Sequence, residues 1–200
     1  DNGFVNGVGR DESLAPWPRT KETISDQLCE YYGLITHLDE QVGRIVKAME
    51  ALPDASNTYL VYTADHGLAM GSHGLLGKQN IYEHSVQSPF ILRGPGVPRG
   101  GQTTALTYIH DLYATFCRLA GRGVPEGVDS EDLAPLWRGE KKSLRDTAFL
   151  PFQQSMRAIT DGRWKLHQYP HSNHTLLFDL EEDPHELINL AAHRQYASHV

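Results

Sequence analysis

From about Thr20 to Leu52 the apolar residues Ile24, Leu28, Leu34, Leu38, Val42, Ile45, Met49 and Leu52 recur at helical spacing. That stretch predicts one long amphipathic helix. Glu40 and Arg44 add a favourable i,i+4 pair on its wet face, and Pro53 stops it. TYLVYTA, from Thr58 to Ala64, then reads as a short apolar run without polar alternation. This is the pattern of a buried strand of the parallel type. QSPFILRGPG predicts a second short strand, with Pro89 at its beginning and Gly94-Pro95-Gly96 as its exit. HDLYATFCRLAG returns to helical spacing, with Asp111 placed to cap its start and Gly121 its end. Helix, strand, loop, strand, helix is the grammar of an α/β sheet.

Beyond Gly121 the composition loosens, and the later pattern differs. MRAIT and WKLHQY flank Asp161-Gly162, a strong two-residue hairpin signal. TLLFDLE predicts a third strand, and EDPHELINLAAH a short capped helix that closes the chain. The organisation expected is an irregular leader over 1–19, an α/β part over 20–146, and a small antiparallel sheet with a helix over 147–200.

Composition narrows the classes. The 200 residues are 40% hydrophobic and 22% charged, ordinary for a globular protein. No stretch approaches the roughly 18 apolar residues of a membrane span. A formal net charge of -7 without a basic block argues against a general nucleic-acid binder. Eleven histidines direct attention to metal or anion chemistry. Cys29 and Cys117 fall in apolar-periodic segments and read as buried free thiols. The leader has neither the basic nor the apolar region of a signal peptide, and the first residue is not methionine. The chain is therefore expected to be a piece of something longer.

The chemistry concentrates in TADHGLAMGSHGLLGK, residues 63–78. In open α/β sheets, ligands sit beyond the carboxyl ends of strands, where Asp65 and His66 stand. Carboxylate and imidazole make a reasonable ligand pair for a divalent cation, with Gly67 letting the backbone turn sharply behind them. The bland alternative is that Asp65 caps a turn and His66 merely packs. Lys78, read alone, is a solvated surface lysine. Beside a cation its ammonium is costly unless a dianionic sulfate or phosphate lies between them. His73 has three open roles: donor to an anion, proton relay to a leaving group, or loop packing.

TADHG, GSHGLLGKQNIYEHSVQSP, FILRGPG and IHDLYATFCRLAG together resemble the C-terminal half of the sulfatases, within the alkaline-phosphatase-like superfamily. YYGLITHLDEQVGRIVKAME and RAITDGRWKLHQY…LLFDLEEDPHELINLA match as well, so the resemblance covers nearly the whole chain. It implies part of an alkaline-phosphatase-like mixed or parallel sheet with flanking helices, plus the small C-terminal antiparallel sheet. It implies Asp65 and His66 as two ligands of the active-site cation, Lys78 as the contact to sulfate oxygens, and His73 in the same pocket. It also implies a formylglycine nucleophile made from cysteine or serine, and a sulfated small molecule or saccharide as substrate. Calcium comes first and manganese second, because members with histidine at the position of His66 are assigned calcium although imidazole suits softer ions. Members occur in the periplasm, in lysosomes and in the cytoplasm, and an extracytoplasmic place is expected ahead of a cytoplasmic one.

One departure stands out. The family's Cys/Ser-x-Pro-x-Arg motif is absent: Cys29 precedes Glu-Tyr-Tyr and Cys117 precedes Arg-Leu-Ala. The paired aspartates and upstream histidine that complete the family's site have no matching positions either. The expectation is a C-terminal segment carrying part of a site, inactive and aggregation-prone by itself. Two rivals stand beside the sulfatase reading: a phosphodiesterase or phosphonate monoester hydrolase of the same superfamily, and a binding module that lost its nucleophile. Elsewhere, Trp164, Tyr169 and Phe178 read as core packing and Arg157 and Arg163 as solvated. Asn173-His174-Thr175 reads as a chance glycosylation sequon, and His171 and His174 as loop residues. Oligomeric state is left open by these patterns.

Overall fold

The computed structural model describes residues 11–12 and 14–200, so most of the expected leader lies outside the described residues. The fold is mixed α/β, in two compact units that divide between Pro95 and Gly96.

The first unit opens with helix α1, Lys21–Glu50, as the spacing predicts. The Thr20 hydroxyl accepts from the Thr23 N–H at 3.2 Å, satisfying one of the helix's orphan donors. Glu22 in the first turn and Lys47 in the last complement the helix dipole. The helix ends at Ala51, because the residue before Pro53 is pushed out of the helical region. None of its residues is buried, and Cys29 is exposed rather than the buried thiol expected.

Strands β1, Leu60–Thr63, and β2, Phe90–Arg93, form where expected, but they pair with each other and antiparallel, Leu60 opposite Arg93 and Thr63 opposite Phe90. An apolar run reports which faces favour burial, not the direction of its neighbour. The chain returns after the loop and lays β2 back along β1. Tyr62 and Ile91 are exposed, so the run is not a fully buried strand in this unit. The core sits instead under the loop between the two strands, where Ala69, Leu75, Leu76 and Ile81 are buried.

The second unit begins with α3, Asp111–Leu119, and α4, Ala134–Trp137. Asp111 does not cap α3, since His110 holds the cap position without a side-chain bond. Its wholly buried carboxylate accepts instead from the N–H groups of Tyr108, at 2.7 Å, and Glu131, at 2.9 Å. Arg145 completes it as a bidentate partner at 2.7 and 2.9 Å. Burial raises the Asp111 carboxyl's pKa, but these four bonds outweigh it and hold the group below the ordinary value. Gly121 does finish the helix as expected, in the left-handed region at φ +66°. Cys117 on α3 is only half-buried.

Four antiparallel strands follow in chain order: β3, Ala148–Phe152; β4, Met156–Thr160; β5, Trp164–Tyr169; β6, His174–Asp179. β3 carries Pro151, which masks the strand in sequence but is tolerated because β3 lies at the sheet edge. The β4–β5 hairpin turns one residue later than Asp161-Gly162 suggests. Asp161 pairs with Trp164, Gly162 supplies the positive φ of +98°, and the Asp161 carboxylate accepts from the N–H groups of Arg163 and Trp164. Tyr169 and Phe178 enter the core, whereas Trp164 stacks on His199 in the closing 3-10 helix, Arg194–His199.

The segment 182–193 is not helical. Asp183 accepts from the Ile188 N–H, and the Asn189 side chain accepts from those of Leu177 and Ala191. Side chains that satisfy backbone donors locally compete with a helix, and here they prevail. Lys165 and His167 of β5 are buried together with Glu186 of this segment, with Lys165 Nζ at 3.0 Å and His167 Nε2 at 3.1 Å from Glu186 Oε1.

Candidate functional site

The glycine-rich loop builds its own scaffold. Ala69 N–H donates to the Gly77 carbonyl at 3.0 Å and Gly71 N–H to that of Leu75 at 2.7 Å, so residues 69–71 run back along 75–77. Ser72–Gly74 form a 3-10 turn at the tip, and the buried Leu75 and Leu76 fill the space beneath. Gly71 is positioned by close approach: a Cβ there meets Ile24 Cγ2 of α1 at 2.5 Å.

Asp65 and His66 leave β1 together. Asp65 Oδ1 and His66 Nε2 are 3.4 Å apart, with the carboxylate largely exposed and the imidazole about a third exposed. Two donors bound at about 2.0–2.5 Å to one ion, roughly at right angles, stand about 3–3.5 Å apart, so the spacing fits a shared cation. His66 Nδ1 lies 3.0 Å from the Gly67 carbonyl. When protonated there, the ring donates to that oxygen and turns the Nε2 lone pair towards Asp65, the usual outer-shell arrangement of a ligating histidine. The same contact is an ion pair when His66 is doubly protonated. Among the described residues no group of three or more His, Cys, Asp or Glu side chains is arranged to hold a metal ion. The pair is thus a two-donor set.

Gly67 matters for a reason other than a sharp turn. Its N–H donates to the Ser85 carbonyl at 2.9 Å, and a Cβ at this position falls 2.0 Å from the His84 carbonyl oxygen. The Asp65–His66 segment is therefore pinned against the short helix α2, Glu83–Val86, through backbone contact that only glycine permits.

His73 sits at φ +54° and stacks on the Tyr82 ring, centroids 3.9 Å apart, with the His84 ring 5.7 Å from both, tilted to His73 and stacked with Tyr82. The sequence gives neither Tyr82 nor His84 a role in the site. Their only sequence signal is position, beside the lysine-bearing turn. Lys78 is exposed, directly after the buried Gly77, and its carbonyl accepts from the Asn80 N–H at 2.8 Å. The Ala69–Gly77 pairing sets its backbone alongside Leu68, two residues past His66. The structure thus brings Asp65 and His66 into contact and ties Lys78 to the same small loop body, while His73 joins an aromatic column of its own. Arg163 is engaged by Asp179 and Glu181, and Arg157 by the Gln153 and Met156 carbonyls.

An oxygen–nitrogen donor pair at a strand end, with an exposed ammonium on the adjoining turn, can hold a divalent cation and an oxyanion side by side. The chain as a whole is similar to known proteins. A family model described as Sulfatase matches residues 7–122, and one described as N-sulphoglucosamine sulphohydrolase, C-terminal, matches 71–200. An N-acetylglucosamine-6-O-sulfatase of Bacteroides thetaiotaomicron is 29% identical over 181 residues, 84% of this chain and 32% of that protein. The solved structure of a 2-O GAG sulfatase superposes with a TM-score of 0.81 at 29% identity, covering 90% of this chain and 41% of that one. The phosphonate monoester hydrolase of Agrobacterium radiobacter does so with a TM-score of 0.79 at 32% identity, covering 90% and 40%. The chain spans about a third of the length of the curated relatives it matches.

Proposed function

The chain belongs to the sulfatase family, and from that premise we propose that the full-length protein hydrolyses sulfuric esters, using a divalent cation held in part by Asp65 and His66. The observation that carries the reading is the 3.4 Å approach of Asp65 Oδ1 to His66 Nε2 on a loop that also bears Lys78. A cation bound there supplies Lewis-acid polarisation of an ester oxygen.

This chain's own residues do the rest of what can be derived. Asp65 and His66 would supply one carboxylate oxygen and one imidazole nitrogen, a set that manganese suits and calcium tolerates; calcium stands first only because family members with histidine at this position are assigned it, and manganese stands second. Lys78 offers a point charge with three donors to the oxygens on which charge accumulates as the S–O bond breaks. His73 is stacked on Tyr82, and its place in the same pocket rests on the family resemblance alone. The nucleophile would belong to sequence outside these residues, since no cysteine or serine of the chain stands in a Cys/Ser-x-Pro-x-Arg motif.

Sulfated saccharides are the favoured substrate class, supported by the saccharide named for the Bacteroides relative. A second reading, hydrolysis of phosphonate monoesters, is favoured by the Agrobacterium neighbour at 32% identity. Sulfate and phosphonate esters present similar oxyanions to a cation and a lysine. Full-length protein assayed on 4-nitrophenyl sulfate and a 4-nitrophenyl phosphonate separates the two. Higher kcat/KM on the sulfate is expected. Higher kcat/KM on the phosphonate overturns the sulfatase reading.

A further inference from the structure

We propose that Asp11 is a positioning residue that fixes the turn carrying Lys78. This rests on the role given to Lys78 above. Asp11 lies far upstream in sequence, in a stretch whose pattern reads as an irregular leader. Its carboxylate nevertheless reaches the turn just before Lys78: Oδ2 accepts from the Leu76 N–H at 2.7 Å and Oδ1 from the Gly77 N–H at 2.6 Å. Arg19 Nη2 donates to the same Oδ2 at 3.0 Å and to the Glu12 carbonyl at 3.2 Å. The pair is buried, with 3% of the Arg19 side chain and 4% of the Asp11 side chain exposed. The Trp17 ring covers the guanidinium, its centroid 4.6 Å from Arg19 Cζ.

The fit is tight enough to require glycine beneath it. A Cβ on Gly77 meets Glu12 Cγ at 2.6 Å and Asp11 Oδ1 at 2.9 Å. Gly77 is then held on both sides, its N–H by Asp11 and its carbonyl by the Ala69 N–H at 3.0 Å. The next residue is Lys78. Its long side chain is flexible, so the site depends on where the backbone launches it, and Asp11 defines that point through charge-assisted bonds to two successive peptides. Arg19 pairs with the carboxylate and orients it while it is out of water. Asn at position 11 has the same shape but places an NH₂ against one of three donors, which breaks the grip without opening a cavity.

The test uses the full-length protein and 4-nitrophenyl sulfate, with Asp11→Asn, Lys78→Ala and the double variant, plus amide exchange at residues 75–78. A group that acts only through Lys78 has nothing left to position once the ammonium is gone. Asp11→Asn is expected to lower kcat by about tenfold or more with KM little changed, as misplacement of a transition-state contact does. In the Lys78→Ala background it is expected to cost less than about twofold, and the Leu76 and Gly77 amides to exchange faster. Equal losses in both backgrounds mark a merely structural role and overturn the inference, as does wild-type kcat in Asp11→Asn. Should Lys78→Ala fall below detection, exchange decides: faster exchange confined to 75–78 supports the clamp, and unchanged exchange overturns it. A Lys78→Ala variant with wild-type turnover instead sinks the reading of Lys78, and the inference falls with it.

Discussion

Gly67→Ala probes the local geometry most sharply. A Cβ on Gly67 lies 2.0 Å from the His84 carbonyl oxygen, backbone against backbone, so no side chain can yield. Ordinary carbon–oxygen contacts are about 3.3 Å or more, and the two segments must part by roughly 1.3 Å. Parting stretches the 2.9 Å bond from Gly67 N–H to the Ser85 carbonyl to about 4 Å, past the limit of a hydrogen bond. The lost bond, the donor left unpaired and the residual strain sum to about 2–4 kcal/mol. Because Gly67 follows His66 and its carbonyl receives His66 Nδ1, the shift also misdirects the ligating nitrogen. Disturbed outer-shell partners typically weaken metal binding by about 10–100-fold. Full-length protein is to be titrated with calcium and with manganese by isothermal calorimetry, and melted in parallel. Gly121→Ala serves as the control, since it imposes a residue at φ +66° with open space around it. It is expected to lower Tm while leaving the cation affinity intact. A Gly67→Ala protein with wild-type affinity and Tm refutes the reasoning.

Three further outcomes follow from other parts of the fold. Gly33 lies within α1 with nothing within 4 Å of an added Cβ, so Gly33→Ala is expected to stabilise by about 0.5–1 kcal/mol in denaturant melts. Arg145→Met leaves the buried Asp111 carboxylate without its cation and is expected to cost about 3–5 kcal/mol by the same measurement. Asp111 is held below its ordinary pKa in the folded protein. The unfolded chain therefore binds the extra proton first, and the stability that Asp111 contributes is present above the unfolded value near 4 and lost as pH falls through the folded one. Acid melts of Asp111→Asn are expected to show a shallower pH dependence below about pH 4 than the wild type.

Much of this arrangement was legible in the chain. α1 followed from eight apolar positions at helical spacing, and the β4–β5 hairpin from its Asp-Gly pair. Asp65 and His66 were placed at a strand end by composition and position alone. Most of the rest depends on contacts distant in sequence. The direction of β1 was misread because burial periodicity carries no information about a partner's orientation. β3 was hidden by Pro151, which only an edge position excuses. The final helix that the spacing predicts does not form, because Asp183 and Asn189 satisfy backbone donors from turns. Asp11 had no signal at all, since a carboxylate's value there lies wholly in reaching Leu76 and Gly77. The reason for Gly67 was likewise invisible, because the carbonyl it must clear belongs to His84.

The account stands or falls on one shared cation at the end of β1. Crystals of the full-length protein soaked in manganese, with anomalous diffraction recorded near the metal's absorption edge, test it directly. A peak about 2.0–2.5 Å from both Asp65 Oδ1 and His66 Nε2, with the Lys78 ammonium facing an oxyanion beside it, is the result predicted. A fully occupied metal bound elsewhere, with Asp65 and His66 engaged only with each other, contradicts it.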